Sequence, residues 1–562
     1  MPYHSNKTKH SHKNSLAPED FLQLRLTDGD TIEDDQQPLM SPNSRSTRKE
    51  AFRRTGSSKD LPDEPLQHHS TETSSYAHAH AHSHSHSPLD PSQTTVEAVF
   101  KIRRRRVKAW LTPTGLKLVA RTISCIPCKQ RFGIPHRVPY EEVISCSYQQ
   151  SGGSTALCIP ARVHMLVLHC VRRSRRKACH WSMRRLRMYS HDEALVKDWV
   201  QRISAATKAF ASRPRNLLVI VNPWGGAKRA VSIWQTIALP IFQLAGIEYT
   251  VHETERAGHA RDLVENLKLG DLQQLDGVVA VGGDGLFQEM LNGLLALRAK
   301  AVRAGDDGEA TAAFAARLRL GHIPAGSTDA VAFSLNGTRS ELSATLHIAI
   351  GDRAQLDVMR LDTATTHRFA CCVASYGYMG DLMAQAYNAS VSYLPAPGLA
   401  RPELVEAICS SHCDLCHAVS ADRGAPSTAF MDKAPEARPD GRWKTVMGRY
   451  KSIMAVVTPC RSDRSTLGLS PFSHLADGRI HLVLVKDCSV LQYLKFMASI
   501  PVQGVIKGKF QYVDIIEVTA ISVKPDGAES CWNVDGELVS ENAITAQVHQ
   551  GLVDVFARGV ER

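Results

Sequence analysis

The sequence predicts a multidomain α+β protein in which an N-terminal β-module precedes an α/β domain and a final β-rich domain. Three observations support this fold class. Short alternating apolar runs between residues 96 and 211 close on an amphipathic helix, strand–glycine loop–helix units repeat after residue 213, and β-type runs return in the last third. A chain of 562 residues is long enough for about three domains, each with its own core.

The composition limits the cellular setting. The net charge of +11 indicates an anionic partner, which could be a membrane surface, a nucleotide or a nucleic acid, and composition does not choose among them. The 14 cysteines occur without an N-terminal apolar segment of the signal-peptide type, so we expect a cytoplasmic protein with mostly reduced thiols. The sequence has no uninterrupted apolar run of about 18 residues, and any membrane contact is therefore expected to be peripheral.

Residues 1–95 are predicted to be a disordered tail. They are rich in Ser, His, Asp, Lys and Pro and contain few large apolar residues. Histidines alternate with other residues from His78 to His86. This run is able to bind stray transition metals, but a solvated low-complexity tail is the favoured interpretation.

Residues 96–211 predict a small β-module that ends in a helix carrying Trp199. This layout resembles a pleckstrin-homology domain. Clusters of basic residues favour anionic lipid head groups, and a solvated face or a nuclear-localisation-like run is the alternative. The basic residues are Lys101, Arg103, Arg104, Arg105, Arg106, Lys108, Arg172, Arg173, Arg175, Arg176, Lys177, Arg184, Arg185 and Arg187.

The α/β domain is organised around one glycine-rich turn. Residues 278–281 predict a buried strand, Gly282-Gly283-Asp284-Gly285 follow it, and a helical pattern begins at Leu286. Glycines let backbone N–H groups approach an anion, and the helix adds its positive end, so a phosphate is the expected occupant. Asp284 is then expected to bind a metal shared with the phosphates or to take a proton from an attacking hydroxyl. An ordinary βα turn is the alternative.

Three further strands end in loops of the same kind. Residues 217–221 run into Asn222-Pro-Trp-Gly-Gly226, residues 249–252 precede Thr254, and residues 318–323 enter Pro324-Ala-Gly-Ser-Thr-Asp329. Lys228 could neutralise phosphate charge, but the first loop lacks the Gly-Lys-Ser/Thr ending of a P-loop. The repetition predicts a ligand at the carboxyl ends of the strands of an α/β sheet.

These loops carry a family resemblance. Asn-Pro-Trp-Gly-Gly at 222–226, Thr-Glu-Arg-Ala-Gly-His-Ala at 254–260, Val-Gly-Gly-Asp-Gly at 281–285 with Glu289, and Ile-Pro-Ala-Gly-Ser-Thr-Asp at 323–329 resemble the diacylglycerol kinase catalytic family, which includes the sphingosine kinases. Within the family, residues 325–329 and 343–351 are most similar to the ceramide kinases. A basic pleckstrin-homology-like module before the kinase is also the layout of that branch.

The resemblance implies a two-domain lipid kinase, with an α/β nucleotide-binding domain at residues 213–357 and a β-rich lipid-binding domain at 358–562 that carries a disordered insertion near 417–442. It implies transfer of the γ-phosphate of ATP, with Mg²⁺, to the primary hydroxyl of ceramide. The implied partners are ceramide and, through the basic module, the anionic lipids of intracellular or plasma membranes, without nucleic acid. A sphingosine or diacylglycerol kinase is the alternative within the same chemistry.

The resemblance and the loop chemistry together give candidate site residues. Asp284 is the expected general base or metal-linked acid, Asp381 is the acid expected to orient the lipid, and Asp284 and Asp535 are the expected Mg²⁺ ligands. For Glu289 a solvated helix position is the alternative, and Asp-Gly-Glu at 535–537 is alternatively a commonplace hairpin turn. The expected nucleotide contacts are Asn222, Pro223, Gly225, Gly226, Lys228, Thr254, Gly282, Gly283, Gly285, Glu289, Gly326, Ser327, Thr328, Asp329, Asp535, Gly536 and Glu537.

Two features of the last third leave alternatives open. Cys409, Cys413 and Cys416 resemble a cysteine cluster typical of ceramide kinases, and with His412 or His417 they could bind zinc, although a closed site needs four well-placed ligands. The amphipathic segment 490–497 could bind calmodulin under calcium control, but a short basic and apolar helix is more often simply packed.

The chain departs from the family pattern after Asp381. Relatives continue with roughly twenty more residues, including a basic residue expected to meet the phosphates, whereas here residues 382–386 lead almost directly to the next strand-like segment at 387–394. Another Arg or Lys could compensate. The alternative is a catalytically impaired homologue that binds lipid without phosphorylating it.

Overall fold

The computed structural model describes residues 95–561 apart from 104, 121–133, 152–162, 175, 227, 378–385, 398–408, 411–412, 422–427, 439–440 and 528–529. The predicted tail at residues 1–95 therefore lies almost entirely outside the described residues, as does Asp381.

The first part of the chain forms a seven-stranded antiparallel sheet in the order β4-β3-β2-β1-β7-β6-β5. The helix α1 packs across this sheet. Its N-cap residue is Asp192, whose side chain accepts a hydrogen bond from Leu195 N–H. Trp199 is fully buried against Phe100, with 4.8 Å between their ring centroids. The elements are β1 (Val96–Ile102), β2 (Arg105–Thr112), β3 (Gly115–Ala120), β4 (Arg137–Pro139), β5 (Val143–Ser151), β6 (Val163–Arg173), β7 (Trp181–Ser190) and α1 (Glu193–Lys208).

This antiparallel sheet contacts the part of the chain that follows it. The backbone N–H of Trp181 donates to Ser343 Oγ at 2.9 Å, and the Trp181 ring lies 3.8 Å from the His347 ring between centroids. The Trp181 indole N–H also donates to Glu561 near the C-terminus at 2.7 Å. These buried contacts fix the position of the first sheet relative to the α/β segment.

The α/β segment is built on parallel strands in the order β9-β8-β10-β11, with helices on both faces. Its strands are β8 (Asn216–Val221), β9 (Glu248–Glu253), β10 (Gly277–Gly282) and β11 (Arg319–Pro324). Its helices are α2 (Ala230–Ile233), which continues through a π-helical turn (Trp234–Ala238) into α3 (Leu239–Ala245), then α4 (His259–Glu265), α5 (Leu269–Gln274), α6 (Asp284–Arg303), α7 (Asp306–Arg317), α8 (Ala330–Asn336) and α9 (Glu341–Ile350).

The remaining strands are mainly antiparallel and continue the same sheet. The last strand, β21, joins the two parts, because it pairs parallel with β11 and antiparallel with β12 and β18. The elements are β12 (Ala354–Asp362), β13 (His367–Ala370), β14 (Val373–Tyr376), β15 (Tyr387–Pro395), α10 (Asp414–Ala421), β16 (Lys444–Val456), β17 (Ile480–Lys486), α11 (Val490–Gln503), β18 (Val513–Pro525), β19 (Trp532–Val534), β20 (Glu537–Val539) and β21 (Ile544–Val555).

Two expected boundaries differ from the structure. The division between residues 357 and 358 falls inside β12, so the α/β segment ends before Ala354. The disordered insertion near 417–442 is wrong for the residues described there, because α10 covers residues 414–421 and Phe430 is buried in the core against Phe369. A few apolar residues within this mostly polar segment pack on the core. The polar composition of the segment as a whole therefore predicted disorder incorrectly for these residues.

Candidate functional site

The four loops predicted to meet do lie at one edge of the sheet. Val281 of β10 pairs with Val221 of β8 and with Ile323 of β11, and Val221 pairs with Glu253 of β9. Because all these strands are parallel, their carboxyl ends and the loops that follow them are level with one another. The local strand-and-glycine pattern was sufficient to predict this arrangement.

The loop after β8 is folded on the Asn222 side chain. Its Oδ1 accepts hydrogen bonds from the backbone N–H groups of Trp224 at 3.0 Å and Gly225 at 3.1 Å. Gly226 has a φ of +54° and packs so closely on the loop after β11 that a Cβ would lie 2.9 Å from the Ala325 carbonyl oxygen. A side chain at this position would push the two loops apart.

Asp284 is the first residue of α6 and binds the start of another helix. Its Oδ2 accepts from Ala330 N–H and its Oδ1 accepts from Val331 N–H, both at 2.9 Å, at the N-terminus of α8. Burial raises the pKa of Asp284, and the nearby His322 and the two N–H groups oppose that rise. The carboxylate is thus held in one orientation and has a higher proton affinity than an exposed aspartate.

His322 was not predicted as a site residue. It is buried in β11, its Nε2 lies 3.1 Å from the Gly282 carbonyl oxygen, and its ring stacks on Phe287 with 5.5 Å between centroids. The only signal in the sequence was a polar residue near the end of the predicted strand 318–323, which also contains Arg319.

Glu289 binds a helix terminus in the same manner as Asp284. Its Oε1 accepts from Gly258 N–H at 2.9 Å and its Oε2 accepts from Ala260 N–H at 3.1 Å, at the start of α4. A solvated helix position is therefore wrong for Glu289. The Glu289 carboxylate holds the loop after β9 in place. It would therefore affect a ligand bound by that loop by positioning the loop.

Asp329 and Arg339 shape the loop after β11. Asp329 is buried with a φ of +52°, and its Oδ1 accepts from Gly326 N–H at 2.9 Å. Arg339 Nη2 lies 3.0 Å from Asp329 Oδ2, and the guanidinium also donates to the carbonyl oxygens of Gly326 at 3.0 Å and Ser327 at 3.1 Å. Arg339 was missed because it lies ten residues beyond the motif, with no local pattern to mark it.

Four of the predicted residues line a cavity of about 420 Å³ at the edge of the sheet. They are Asn222, Gly225, Thr254 and Glu289. The same cavity is lined by Trp224, Glu255, Arg256, Ala257 and Leu286, which were not predicted as site residues. Of these, Trp224 is 67% exposed, so its indole is available to a ligand.

A second cavity, of about 540 Å³, shares Ala257 and Glu289 with the first. It extends between α4, α6 and β13 and reaches the turn between β19 and β20, where Asp535 and Glu537 line it. Glu537 is exposed and forms an ion pair with Arg368, which also lines this cavity. The two cavities together bring Glu289 and the loop residues Asn222, Gly225 and Thr254 to one region with Asp535 and Glu537. Asp284 and residues 326–329 line neither cavity.

Asp535 lies in a nest of backbone N–H groups. With a φ of +49°, it accepts hydrogen bonds from Cys371 at 2.8 Å, Cys372 at 3.1 Å and Val373 at 2.6 Å. Burial and the neighbouring Cys372 raise the pKa of Asp535 well above its ordinary value, and the N–H groups oppose the rise. In the described part of the chain, Asp284 does not belong to a group of three or more convergent metal-binding side chains, whereas Asp535 clusters with Cys371 and Cys372.

The other predicted residues lie around this region with fewer constraints. Lys228, Ser327, Thr328, Gly285 and Gly536 are exposed, and Pro223 is half-buried. Gly282 packs on Leu286, whereas a Cβ added to Gly285 would have no other atom within 4 Å. Asp381, predicted to orient the lipid, falls outside the described residues.

No helix in the described ranges is both long and apolar enough to cross a membrane.

Comparison with known proteins finds similar sequences for the segment that carries these loops. Residues 216–361 match the model of the diacylglycerol kinase catalytic domain. The human ceramide kinase is 27% identical over 483 residues, which cover 75% of this chain and 89% of the relative. The ceramide kinase of Oryza sativa is 27% identical and covers 72% of this chain and 86% of its own, and that of Arabidopsis thaliana is 28% identical and covers 71% and 82%.

Sphingosine kinases match less of the chain. Sphingosine kinase 1 of Arabidopsis thaliana is 25% identical over 395 residues, 61% of this chain. Residues 216–361 are therefore similar to the diacylglycerol kinase catalytic domain, and the chain as a whole is similar to ceramide kinases over about three quarters of its length.

Proposed function

We propose that this protein is an ATP-dependent lipid kinase that transfers the γ-phosphate of ATP to the primary hydroxyl of ceramide, giving ceramide 1-phosphate. The observation that carries the proposal is the position of Asp284, a half-buried carboxylate whose pKa is raised by desolvation, at the meeting point of the strand-end loops. The similarity to ceramide kinases over about three quarters of the chain supports ceramide over other lipids.

ATP is assigned to the two adjoining cavities. Their shared wall at Ala257 and Glu289 lets one nucleotide extend from the loop after β8 toward the 535–537 turn. The phosphates are assigned to the positive N-terminal end of α6, where the open space before Gly285 permits close approach to the backbone. Glu289 and Asp329 act by holding the loops after β9 and β11.

Asp284 is assigned as the general base. As the ceramide hydroxyl oxygen attacks the γ-phosphorus, its proton passes to the Asp284 carboxylate, and the bond from phosphorus to the ADP oxygen breaks. The hydrogen bonds from Ala330 and Val331 occupy one lone pair on each oxygen, and the remaining lone pairs can accept the proton. Positioning of the reacting groups in this way supplies much of the rate acceleration in phosphoryl transfer, because the protein takes little part in covalent chemistry.

Mg²⁺ is assigned to the phosphates and to one of the carboxylates Asp284 or Asp535. This ion keeps several waters and is commonly bound by one or two carboxylates together with substrate phosphates, so a closed cage of protein ligands is not required. Bound there, it would neutralise charge on the transferred group.

The seven-stranded sheet is assigned as the contact with anionic membrane lipids. Arg103 is exposed in the turn between β1 and β2, and Arg106 is exposed at the start of β2. Arg172 is exposed near the end of β6, and Arg176 and Lys177 are exposed in the turn between β6 and β7. Lys101, beside the first turn, pairs with Tyr189 near the end of β7, whereas the second turn leads into the start of β7, so both basic groups lie along β7 but are not level with each other. Control by calcium and calmodulin through α11 stays a prediction, for which the exposure of Leu491 and Leu494 beside buried Tyr493 and Phe496 is the relevant feature.

The experiment is phosphate transfer from labelled ATP with Mg²⁺ to ceramide, sphingosine and diacylglycerol in mixed micelles. We expect transfer to ceramide that is lost in Asp284→Asn, while thermal unfolding and ATP binding show that the variant is folded and loaded. Asp271→Asn, on the separate helix α5, is the matched control and should retain transfer. Transfer to sphingosine or diacylglycerol in preference to ceramide, or no transfer by folded protein, would contradict the proposal.

A further inference from the structure

The cysteines of the 409–416 segment meet a histidine that lies far away in the sequence. The Sγ atoms of Cys409, Cys413 and Cys416 and the imidazole of His474 all have ligand atoms within 4.8 Å of one another. His474 lies between β16 and β17. His417, the described histidine next to the cysteines in sequence, does not belong to this group, and His412 lies outside the described residues. The fourth ligand that the sequence could not supply therefore comes from another segment.

The separations fit a tetrahedral site. Cys409 Sγ lies 3.5 Å from Cys416 Sγ, Cys413 Sγ lies 3.2 Å from His474 Nε2, and Cys416 Sγ lies 3.7 Å from the same nitrogen. In a tetrahedral zinc site with ordinary bond lengths, sulfur atoms are about 3.8 Å apart and sulfur and nitrogen about 3.6 Å apart. These three separations therefore lie within about 0.4 Å of the values for a tetrahedral site, and the remaining three are no longer than 4.8 Å.

The site is also closed in the manner of a structural metal centre. Cys409 and His474 are buried, and Cys413 and Cys416 are half-buried. The three cysteines pack on the core that includes α6 and β12, as does Leu475, the neighbour of His474. Three thiolates and one imidazole complete the coordination of zinc, which leaves no position for a substrate.

We propose that Cys409, Cys413, Cys416 and His474 bind a structural zinc ion. The other convergent group in the described ranges, Cys371, Cys372 and Asp535, is a weaker candidate, because the Asp535 carboxylate is already bound by backbone N–H groups. Binding at His474 Nε2 leaves the ring proton on Nδ1, so Ala476 N–H, which now donates to Nδ1 at 3.0 Å, must turn away as the ion enters.

The ion would fasten three parts of the chain together. Cys409 O accepts a hydrogen bond from Val560 N–H at 2.7 Å, which places it on the C-terminal segment after β21. Cys413 directly precedes α10, and Cys416 lies in the first turn of this helix. His474 precedes Leu475, whose carbonyl oxygen accepts from Asp357 N–H of β12 at 2.7 Å. Because β21 and β12 border the α/β segment, zinc would stabilise the junction of the two halves of the sheet.

The test is metal analysis of the full chain. The alternating histidines of the N-terminal tail are replaced by alanine in every variant (His78, His80, His82, His84 and His86), since that run could hold metal on its own. After exhaustive dialysis, we expect about one zinc ion per chain. Cys413→Ser and Cys416→Ser should lose it. Cys488→Ser, a half-buried cysteine outside the group, is the control and should keep it.

Two further measurements distinguish the loss of a zinc ligand from loss of zinc because a variant has unfolded. His474→Cys offers a four-thiolate set and should retain zinc, whereas His474→Ala should weaken binding. Cobalt exchanged into the parent chain should give the thiolate-to-metal charge-transfer band and the strong visible bands of a tetrahedral site. A folded parent chain without zinc that also shows no such cobalt spectrum would overturn the proposal, whatever its kinase activity.

Discussion

Gly283 and Gly326 lie with their backbones in direct contact, and a Cβ added to Gly326 would be 2.6 Å from the Gly283 Cα and 2.7 Å from Asp329 Oδ1. The first glycine precedes α6, and the second follows β11. Their contact brings the phosphate-type turn at Asp284 against the loop held by Asp329 and Arg339. The geometry of the candidate site therefore depends on two residues that have no side chains.

Gly326→Ala is expected to disrupt this contact, because its new methyl group meets backbone and a buried carboxylate. We expect a loss of stability of about 1–3 kcal/mol together with weakened ATP binding. Thermal unfolding and nucleotide titration measure the two effects. An unchanged ATP affinity would mean that the two loops do not form one binding surface.

Gly285→Ala separates ligand contact from folding. The space before Gly285 is open and its φ is not in the left-handed region, so alanine should leave the fold intact or stabilise α6 by about 0.5–1 kcal/mol. We expect the KM for ATP to rise, because the methyl group occupies the assigned phosphate position. Gly270→Ala in α5, equally open and remote from the cavities, is the matched control. If the KM for ATP is unaltered in Gly285→Ala, the phosphates do not bind at the N-terminal end of α6.

Glu289→Gln should lose one of the two hydrogen bonds that hold α4. The amide nitrogen cannot accept from Gly258 or Ala260 N–H, so we expect a loss of about 0.5–2 kcal/mol and a raised KM for ATP with a smaller effect on kcat. Glu309→Gln, on the exposed surface of α7, is the control. A large fall in kcat at unchanged KM would instead indicate that Glu289 contacts the reacting groups.

The raised pKa of Asp284 predicts the pH dependence of transfer. Because the base must be ionised, activity should be lost as the pH falls through a pKa that burial has moved above the ordinary aspartate range. The profile of kcat/KM against pH should therefore have an acid limb above the range of an exposed carboxyl group. His322→Gln removes the group that opposes this shift and should move the acid limb to higher pH. An acid limb at the position of an exposed aspartate would exclude Asp284 as the base.

The exposed arginines beside the β1–β2 and β6–β7 turns predict salt-sensitive membrane binding. Replacement of Arg103, Arg106 and Arg172 by glutamine should weaken binding to phosphatidylserine vesicles by about 1 kcal/mol per residue at low salt. Sedimentation with vesicles measures the change. The control replaces Lys197, Arg202 and Lys208 on α1, and it should have less effect. Equal losses in both triple variants would indicate that general positive charge, and not these three arginines, attracts the membrane.

His549 predicts an acid-sensitive contribution to stability. Burial, and then the charge of Arg360, lowers the pKa of His549 to about 4. The folded state therefore favours the neutral ring, and the resulting stability is complete above about pH 6.5 and is lost as the pH falls toward 4. Its full size is on the order of 3 kcal/mol. Thermal unfolding of His549→Gln should depend less on pH between 7 and 5 than that of the parent, while exposed His136→Gln should follow the parent. An unchanged pH dependence would show that the ring is not buried neutral.

The sequence by itself determined the order of elements and the place of the site. The strand at 278–281, the turn at Gly282–Gly285 and the long helix after it were predictable, because apolar periodicity and turn glycines act over a few neighbouring residues. The same local signals gave the matching loops at Asn222, Thr254 and Asp329. The motifs that carry the family resemblance lie in these loops.

The tertiary structure alone decided what the side chains of the site bind. Asp284 meets Ala330 and Val331, Glu289 meets Gly258 and Ala260, and Cys413 meets His474. These partners lie between 29 and 61 residues apart in sequence. Contacts between residues so far apart depend on how helices and strands pack once they have formed. The apolar periodicity of a single segment does not predict them. For the same reason the joining role of β21, which pairs with β11, β12 and β18, could not be predicted from its own residues.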